Sequence, residues 1–100
     1  MVEVIWTEKA IKSIDEIANY ISKDSLRYAK ELVSKFYSKV EYLQLFPESG
    51  RVVPEFKRKD LRELIVGQYR IVYQYIKHES KINIVVIYHS KRMLKKDIFD

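Results

Sequence analysis

Cations recur in the second half of this chain at positions where a plain core would not need them. Arg62 interrupts the apolar run at 61–66 and Arg70 the run at 69–76, while the run at 82–88 leads into His89-Ser90-Lys91-Arg92. Upstream, Pro47-Glu-Ser-Gly50-Arg51 reads as a turn, and the loop to Asp60 carries Arg51, Lys57, Arg58 and Lys59 around Pro54. Guanidinium, ammonium and imidazole groups gathered in this way attract polyanions or acidic protein surfaces. The charge is lopsided: residues 1–50 hold seven Lys or Arg against eight Asp or Glu, and residues 51–100 hold twelve against six. The net charge of +5 is therefore carried by the half that contains these candidates.

Composition narrows the remaining choices. Hydrophobic residues make up 47% and charged residues 33% of 100 positions, which is the make-up of one globular domain, 1–100, rather than of a disordered or fibrous chain. No apolar run approaches the roughly 20 residues of a membrane span, and Met1-Val-Glu-Val-Ile-Trp-Thr7 lacks the basic start and small-residue cleavage site of a signal peptide, so a cytoplasmic protein is expected. There is no cysteine, which excludes disulfides, thiolate zinc sites and a cysteine nucleophile. Neither a cofactor nor a metal is expected.

The elements that must position the cations follow from periodicity. Residues 2–6 are short and β-branched and read as a first strand. Ala10, Ile11, Ile14, Ile17, Ala18 and Ile21 then recur at helical spacing, with Thr7 as the N-cap. Lys23-Asp24-Ser25 breaks that pattern. A second helix follows, capped by Asp24 or Ser25, with Leu26, Ala29, Val33, Phe36, Val40 and Leu43 as its inner stripe. Pro47 and Gly50 end helical structure. Strands are predicted at 61–66 and 69–76, joined by Gly67-Gln68 as a two-residue hairpin turn, and at 82–88, which is apolar on both faces and so central. The order β-α-α-β-β-β predicts an α+β domain, with a helical hairpin on one face of a small, mostly antiparallel sheet and the other face open. Alternation places Tyr69, Ile71, Tyr73 and Tyr75 on one face and Arg70 on the other. The tyrosines and Trp6 read as core rather than as a base-stacking platform. Arg62 shares the face of Arg70 if the hairpin register allows it.

Five motifs now stand in order: Pro47-Glu-Ser-Gly-Arg51, Val53-Pro-Glu55, Leu61-Arg-Glu-Leu64, Tyr69-Arg-Ile-Val-Tyr73 and His89-Ser-Lys-Arg92. Together with the helix hairpin, this series resembles the RelE/ParE superfamily of toxins from type II toxin-antitoxin modules, over nearly the whole chain. The resemblance implies one of two activities: RelE-like cleavage of messenger RNA on the ribosome, or ParE-like action on DNA gyrase. It also implies a cognate antitoxin that wraps the sheet and the helices, covering the face of Arg62 and Arg70 or the groove beside the second helix.

For RNA cleavage without a metal, the chemistry needs a base near the 2′-hydroxyl, cations at the phosphate and an acid for the leaving oxygen. The resemblance puts Arg70, Arg92, His89 and Arg62 forward as catalytic residues, with Lys91 beside them. Two features depart from the RelE pattern, since the strand at 61–66 carries only Arg62 where RelE toxins array several basic residues, and Phe99 stands where they have a catalytic tyrosine. The Leu61-Arg-Glu-Leu and Tyr69-Arg-Ile-Val-Tyr pattern looks closer to the ParE branch. The alternative from another class, suggested by the basic half, is a non-toxic nucleic-acid-binding module.

Overall fold

Thr7 ends the first strand and starts the first helix, and its hydroxyl ties the two layers together. The computed structural model describes residues 1–91. Strand β1 (Glu3–Trp6) gives way to α1 (Glu8–Ser22), where Thr7 in extended conformation accepts a bond from the Ala10 N–H at 3.2 Å, as an N-cap must. The same oxygen donates to the Ile84 carbonyl at 2.6 Å. The helix is thus anchored to the sheet at its first residue.

Ser25 caps α2 (Leu26–Tyr42) by accepting from the Tyr28 N–H at 3.1 Å, which settles the choice between Asp24 and Ser25. The stripe that α2 buries comprises Ala29, Leu32, Phe36 and Val40, continuing to Leu43 just past its end. Leu26, expected in that stripe, stands 59% exposed. It lies in the first turn, and Leu32, on the face shared by Ala29 and Phe36 at helical spacing, is the residue buried instead.

The sheet has five strands in the order β1-β5-β4-β3-β2, made of β2 (Arg51–Val52), β3 (Leu61–Val66), β4 (Tyr69–Ile76) and β5 (Lys81–His89) with β1. Strand β1 runs parallel to its neighbour β5 and the other pairs are antiparallel, so the sheet is mostly antiparallel as expected. The two-residue β2 was not anticipated. It sits inside the loop, where Arg51 pairs with Glu63 and Val52 with Arg62, too short a ladder to leave any periodic signal. Gly67 has φ +58, the left-handed value that such a tight hairpin demands and that glycine adopts without strain.

A bulge in β5 sets which side chains face which layer. Val72 pairs with Val86 but Tyr73 pairs with Ile84, so Val85 is the extra residue. Before it Ile82 and Ile84 point to the helices. After it Ile87 does, and Val85 and Tyr88 face the opposite side. The main core lies between helices and sheet, with Ile14, Phe36, Leu43, Ile71, Tyr73 and Ile84 among its buried members.

The far face is not open. Val53, Leu61, Val72, Val85 and Tyr88 form a second, smaller core there, with Phe56 and Val86 packed against it. The loop at 53–60 folds back as a lid of turns, since Phe56 N–H and Lys57 N–H both donate to the Val53 carbonyl, and it carries two apolar side chains that need cover. Among the described residues no helix is long and apolar enough to cross a membrane.

Candidate functional site

Register decides where the cations go. In the β3–β4 hairpin Arg62 stands opposite Tyr73 and Ile65 opposite Arg70, and directly opposed residues share a face. Tyr73 points into the helix-side core, so Arg62 does too. Arg70 lies on the other face. The expectation that the two arginines share one side is therefore corrected: counting outward from a two-residue turn puts them on opposite sides of the sheet.

Arg62 braces the turn at 47–50. Its Nη1 donates to the Gly50 carbonyl at 2.8 Å and to the Glu48 carbonyl at 3.2 Å, and Nη2 lies 3.5 Å from the Glu48 carboxylate. Its side chain is mostly buried, and these contacts are with the chain's own turn.

Arg70 is held more completely. Nη1 donates to Glu55 at 3.0 Å and to Glu63 at 3.1 Å, while Nε and Nη2 donate to the Ser90 carbonyl at 3.3 and 3.0 Å. The guanidinium carbon stands 5.2 Å from the centre of the Tyr88 ring, a cation–π distance. Burial works against the charged guanidinium, and the bonds from Glu55 and Glu63 more than offset it, so its pKa lies above the ordinary arginine value. The partner Glu63 has no exposed side-chain surface, and its second oxygen accepts from Arg51 Nε. A carboxylate so buried is tolerable because it meets two guanidinium groups. The result is a clasp of Glu55, Glu63, Arg70 and the end of β5, laid over Tyr88.

His89 sits on the helix side, opposite Tyr69, with its ring edge-on to that tyrosine at 5.6 Å. The Lys91 N–H donates to Nδ1 at 3.2 Å, and Nε2 lies 3.3 Å from the Gln68 side-chain oxygen. Both ring nitrogens therefore have partners within the chain. His89 is also remote from Arg62: their partners on β4 are four residues apart, about 13 Å at a strand's rise of roughly 3.3 Å per residue. Arg92 and Phe99 lie outside the described residues. The three described residues put forward as catalytic are not brought together, because Arg62 and His89 occupy different places on the helix side and Arg70 the opposite face.

The tyrosines take the core role expected of them. Tyr73 is fully buried, Tyr69 and Tyr75 pack against the main core, and Trp6 stacks at a tilt on Tyr37 at 4.8 Å. Glu63 and Glu55 were not singled out by the sequence pattern. Glu63 carried a signal, since an acid two places from Leu61 on an alternating strand must share its buried face; Glu55 sits in a loop without periodicity, and only its place in the Val53-Pro-Glu55 motif marked it.

Burial raises the pKa of Tyr69, Tyr73 and Tyr88 above the usual phenol value, and among the described residues the Tyr88 hydroxyl has no hydrogen-bond partner. A raised folded-state pKa favours the protonated native form, so the stability from these groups is complete below the unfolded phenol pKa of about 10 and is lost as pH climbs beyond it. The thermal midpoint is therefore expected to fall as the pH rises beyond that value. In a spectroscopic titration, these three of the eight tyrosines should ionise late and together with unfolding.

Comparisons with known proteins add a family context to this geometry. The family model described as "ParE toxin of type II toxin-antitoxin system, parDE" matches residues 4–94. The toxin RelE2 of Caulobacter vibrioides is 28% identical over 93 residues, which is 93% of this chain and 100% of that protein. A putative toxin Y4kP of Sinorhizobium fredii is 29% identical over 85 residues, covering 85% of this chain and 84% of its own. Among solved structures, the chromosomal ParDE system of P. aeruginosa superposes with a TM-score of 0.73 at 22% identity, over 91% of this chain and 98% of that one. The isolated E. coli RelE toxin superposes at 0.66 with 14% identity, over 93% and 88% of the two chains. At such identities the structural likenesses establish the fold alone.

Proposed function

This chain belongs to the ParE toxin family and is the toxin of a type II toxin-antitoxin module, and from that premise we propose that it arrests growth by binding DNA gyrase rather than by cutting messenger RNA. The observation that carries this reading is the state of Arg70. A guanidinium meant for a scissile phosphate is presented to the ligand, with its charge available to the transition state. In this chain two carboxylates and a carbonyl already take up the fork, and Arg62 works on the opposite face. Both arginines serve the fold, as suits a toxin that acts through its surface.

A cognate antitoxin holds such a toxin inactive in the cytoplasm. With a net charge of +5, the chain suits an acidic wrapping segment. We place part of that segment in the groove between α1 and α2, a cavity of about 300 Å³ that includes Ala18, Ser22, Leu26, Ala29 and Val33. Its lining is largely apolar. Co-expression with the product of the adjacent open reading frame is expected to yield a stable complex and to restore growth.

The target is tested with purified toxin in two assays run together. Plasmid DNA with gyrase is expected to show lost supercoiling and trapped cleavage, while messages translated in the presence of the same toxin stay intact. Messages cut at codon boundaries, with gyrase unaffected, would return the chain to the RelE-like mechanism and refute gyrase as the target.

A further inference from the structure

The loop at 53–60 and the end of β5 are far apart in sequence, and one side chain joins them. Arg70 reaches Glu55 in the loop with Nη1 and the Ser90 carbonyl with Nε and Nη2, while buried Glu63 fixes the fork against β3. Two residues beyond Glu55 stands Lys57, in the left-handed region at φ 52, where glycine would sit at ease and lysine is strained. Bonds from the Phe56 and Lys57 amides to the Val53 carbonyl hold that turn. Lys57 and Lys59 are exposed, and so is Lys91, the neighbour of Ser90. Arg58 between the two loop lysines is paired with Asp60 at 2.7 Å. The clasp therefore ties the loop that carries Lys57 and Lys59 to the strand end that precedes Lys91.

We propose that Glu55 and Arg70 are positioning residues, which hold the loop at 53–60 against the end of β5 so that Lys57, Lys59 and Lys91 form one composite cationic surface for an acidic region of the protein target. The proposal rests on the reading that the toxin works by surface contact. Glu55 acts through Arg70, and neither touches the target. One guanidinium bonds both the loop and the strand end, so the clasp defines their relative position. Fixed charges bind a complementary surface better than mobile ones because less freedom is lost on contact.

The test uses the full chain and two readouts. The chain has no cysteine, so spin labels on Lys57→Cys and Lys91→Cys report the distance between loop and strand end without interference. In the parent that distance is expected to be single and narrow, and in Glu55→Ala it broadens. In the unlabelled chain, Glu55→Ala should raise the inducer-titrated toxin level needed for growth arrest by about tenfold, the equivalent of one misplaced polar contact. The thermal midpoint should fall by less than in Arg70→Ala, because Arg70 keeps Glu63 and the Ser90 carbonyl, and Glu55→Gln, which keeps a hydrogen bond without the charge, should fall between Glu55→Ala and the parent. Lys59→Glu, at an exposed position that carries no label, should reproduce part of the loss of arrest with the label distance still narrow. A distance that stays narrow in Glu55→Ala overturns the proposal, as does unchanged growth arrest once the distance has broadened, or a loss of arrest matched by a collapse of the thermal midpoint. Both readouts decide it whether or not gyrase is the target, so a failure of the gyrase reading is seen separately in the supercoiling assay.

Discussion

Arg70→Ala is expected to lower the thermal midpoint of this domain by roughly 12–24 °C. Removing one partner of a buried ion pair costs about 3–5 kcal/mol, because the charge left behind has lost its compensation without regaining water. Glu63 keeps its bond from Arg51, so the low end, about 3 kcal/mol, applies. In a domain of this size each kcal/mol moves the midpoint by about 4–8 °C. The sign of the companion variants is what identifies the mechanism. Replacing both partners, as Arg70→Met with Glu63→Leu, is expected to recover most of the loss. The side chains already on that face, Val53, Leu61, Val72 and Val85, are apolar and can receive them. Calorimetry on the two single variants and the double variant closes the cycle. Additive losses, with no recovery in the double variant, would show that Arg70 and Glu63 do not act as a pair.

That pair also shows how far the sequence could be read. Alternation along 69–76 was enough to separate Arg70 from the tyrosines, and the structure keeps that separation, with Tyr73 fully buried and Arg70 on the opposite face. The helix starts were legible because caps are chemical: Thr7 and Ser25 each have an oxygen that accepts from the amide three residues on. The side taken by Arg62 was also within reach. A two-residue turn at Gly67-Gln68 sets Val66 against Tyr69, and counting outward from there sets Arg62 against Tyr73 and Glu63 against Val72. Glu63 thereby joins the face of Arg70, which is the clasp in outline. The bulge at Val85 was not legible. Val85 and Val86 are the same residue, equally suited to either face, and the choice between them is made by the packing of Tyr88 and Ile87 on the two layers. Nor was the second core, since Val53 and Phe56 lie in a loop where no period tells which side chains turn inward. The site is therefore harder to read than the fold, because it depends on register and loop path rather than on pattern.

Gly50→Ala is expected to be nearly as damaging as Arg70→Ala and to act through the same strand. A Cβ at this position would lie 2.6 Å from the Tyr73 hydroxyl, 2.8 Å from its ring and 2.7 Å from the backbone oxygen of Glu63. None of these can give way cheaply. Tyr73 is fully buried in the main core, and its hydroxyl accepts from the Gly50 N–H at 2.9 Å and donates to the Pro47 carbonyl at 2.9 Å. The Gly50 carbonyl is in turn held by Arg62 at 2.8 Å. Relief of the clash means either breaking those bonds or shifting β3 at Glu63, which carries the carboxylate that anchors Arg70. Overpacking costs about 1–3 kcal/mol and an orphaned buried polar group about as much again, so a total on the order of 3 kcal/mol is expected. Tyr73→Phe distinguishes the two contributions. By itself it loses both hydrogen bonds and costs about 1–3 kcal/mol. Combined with Gly50→Ala it removes the nearest clashing atom, so the double variant is expected to be more stable than the sum of the single losses. Denaturant midpoints for the three variants check the point, and a Gly50→Ala chain as stable as the parent would mean that the turn at 47–50 does not press on Tyr73 at all.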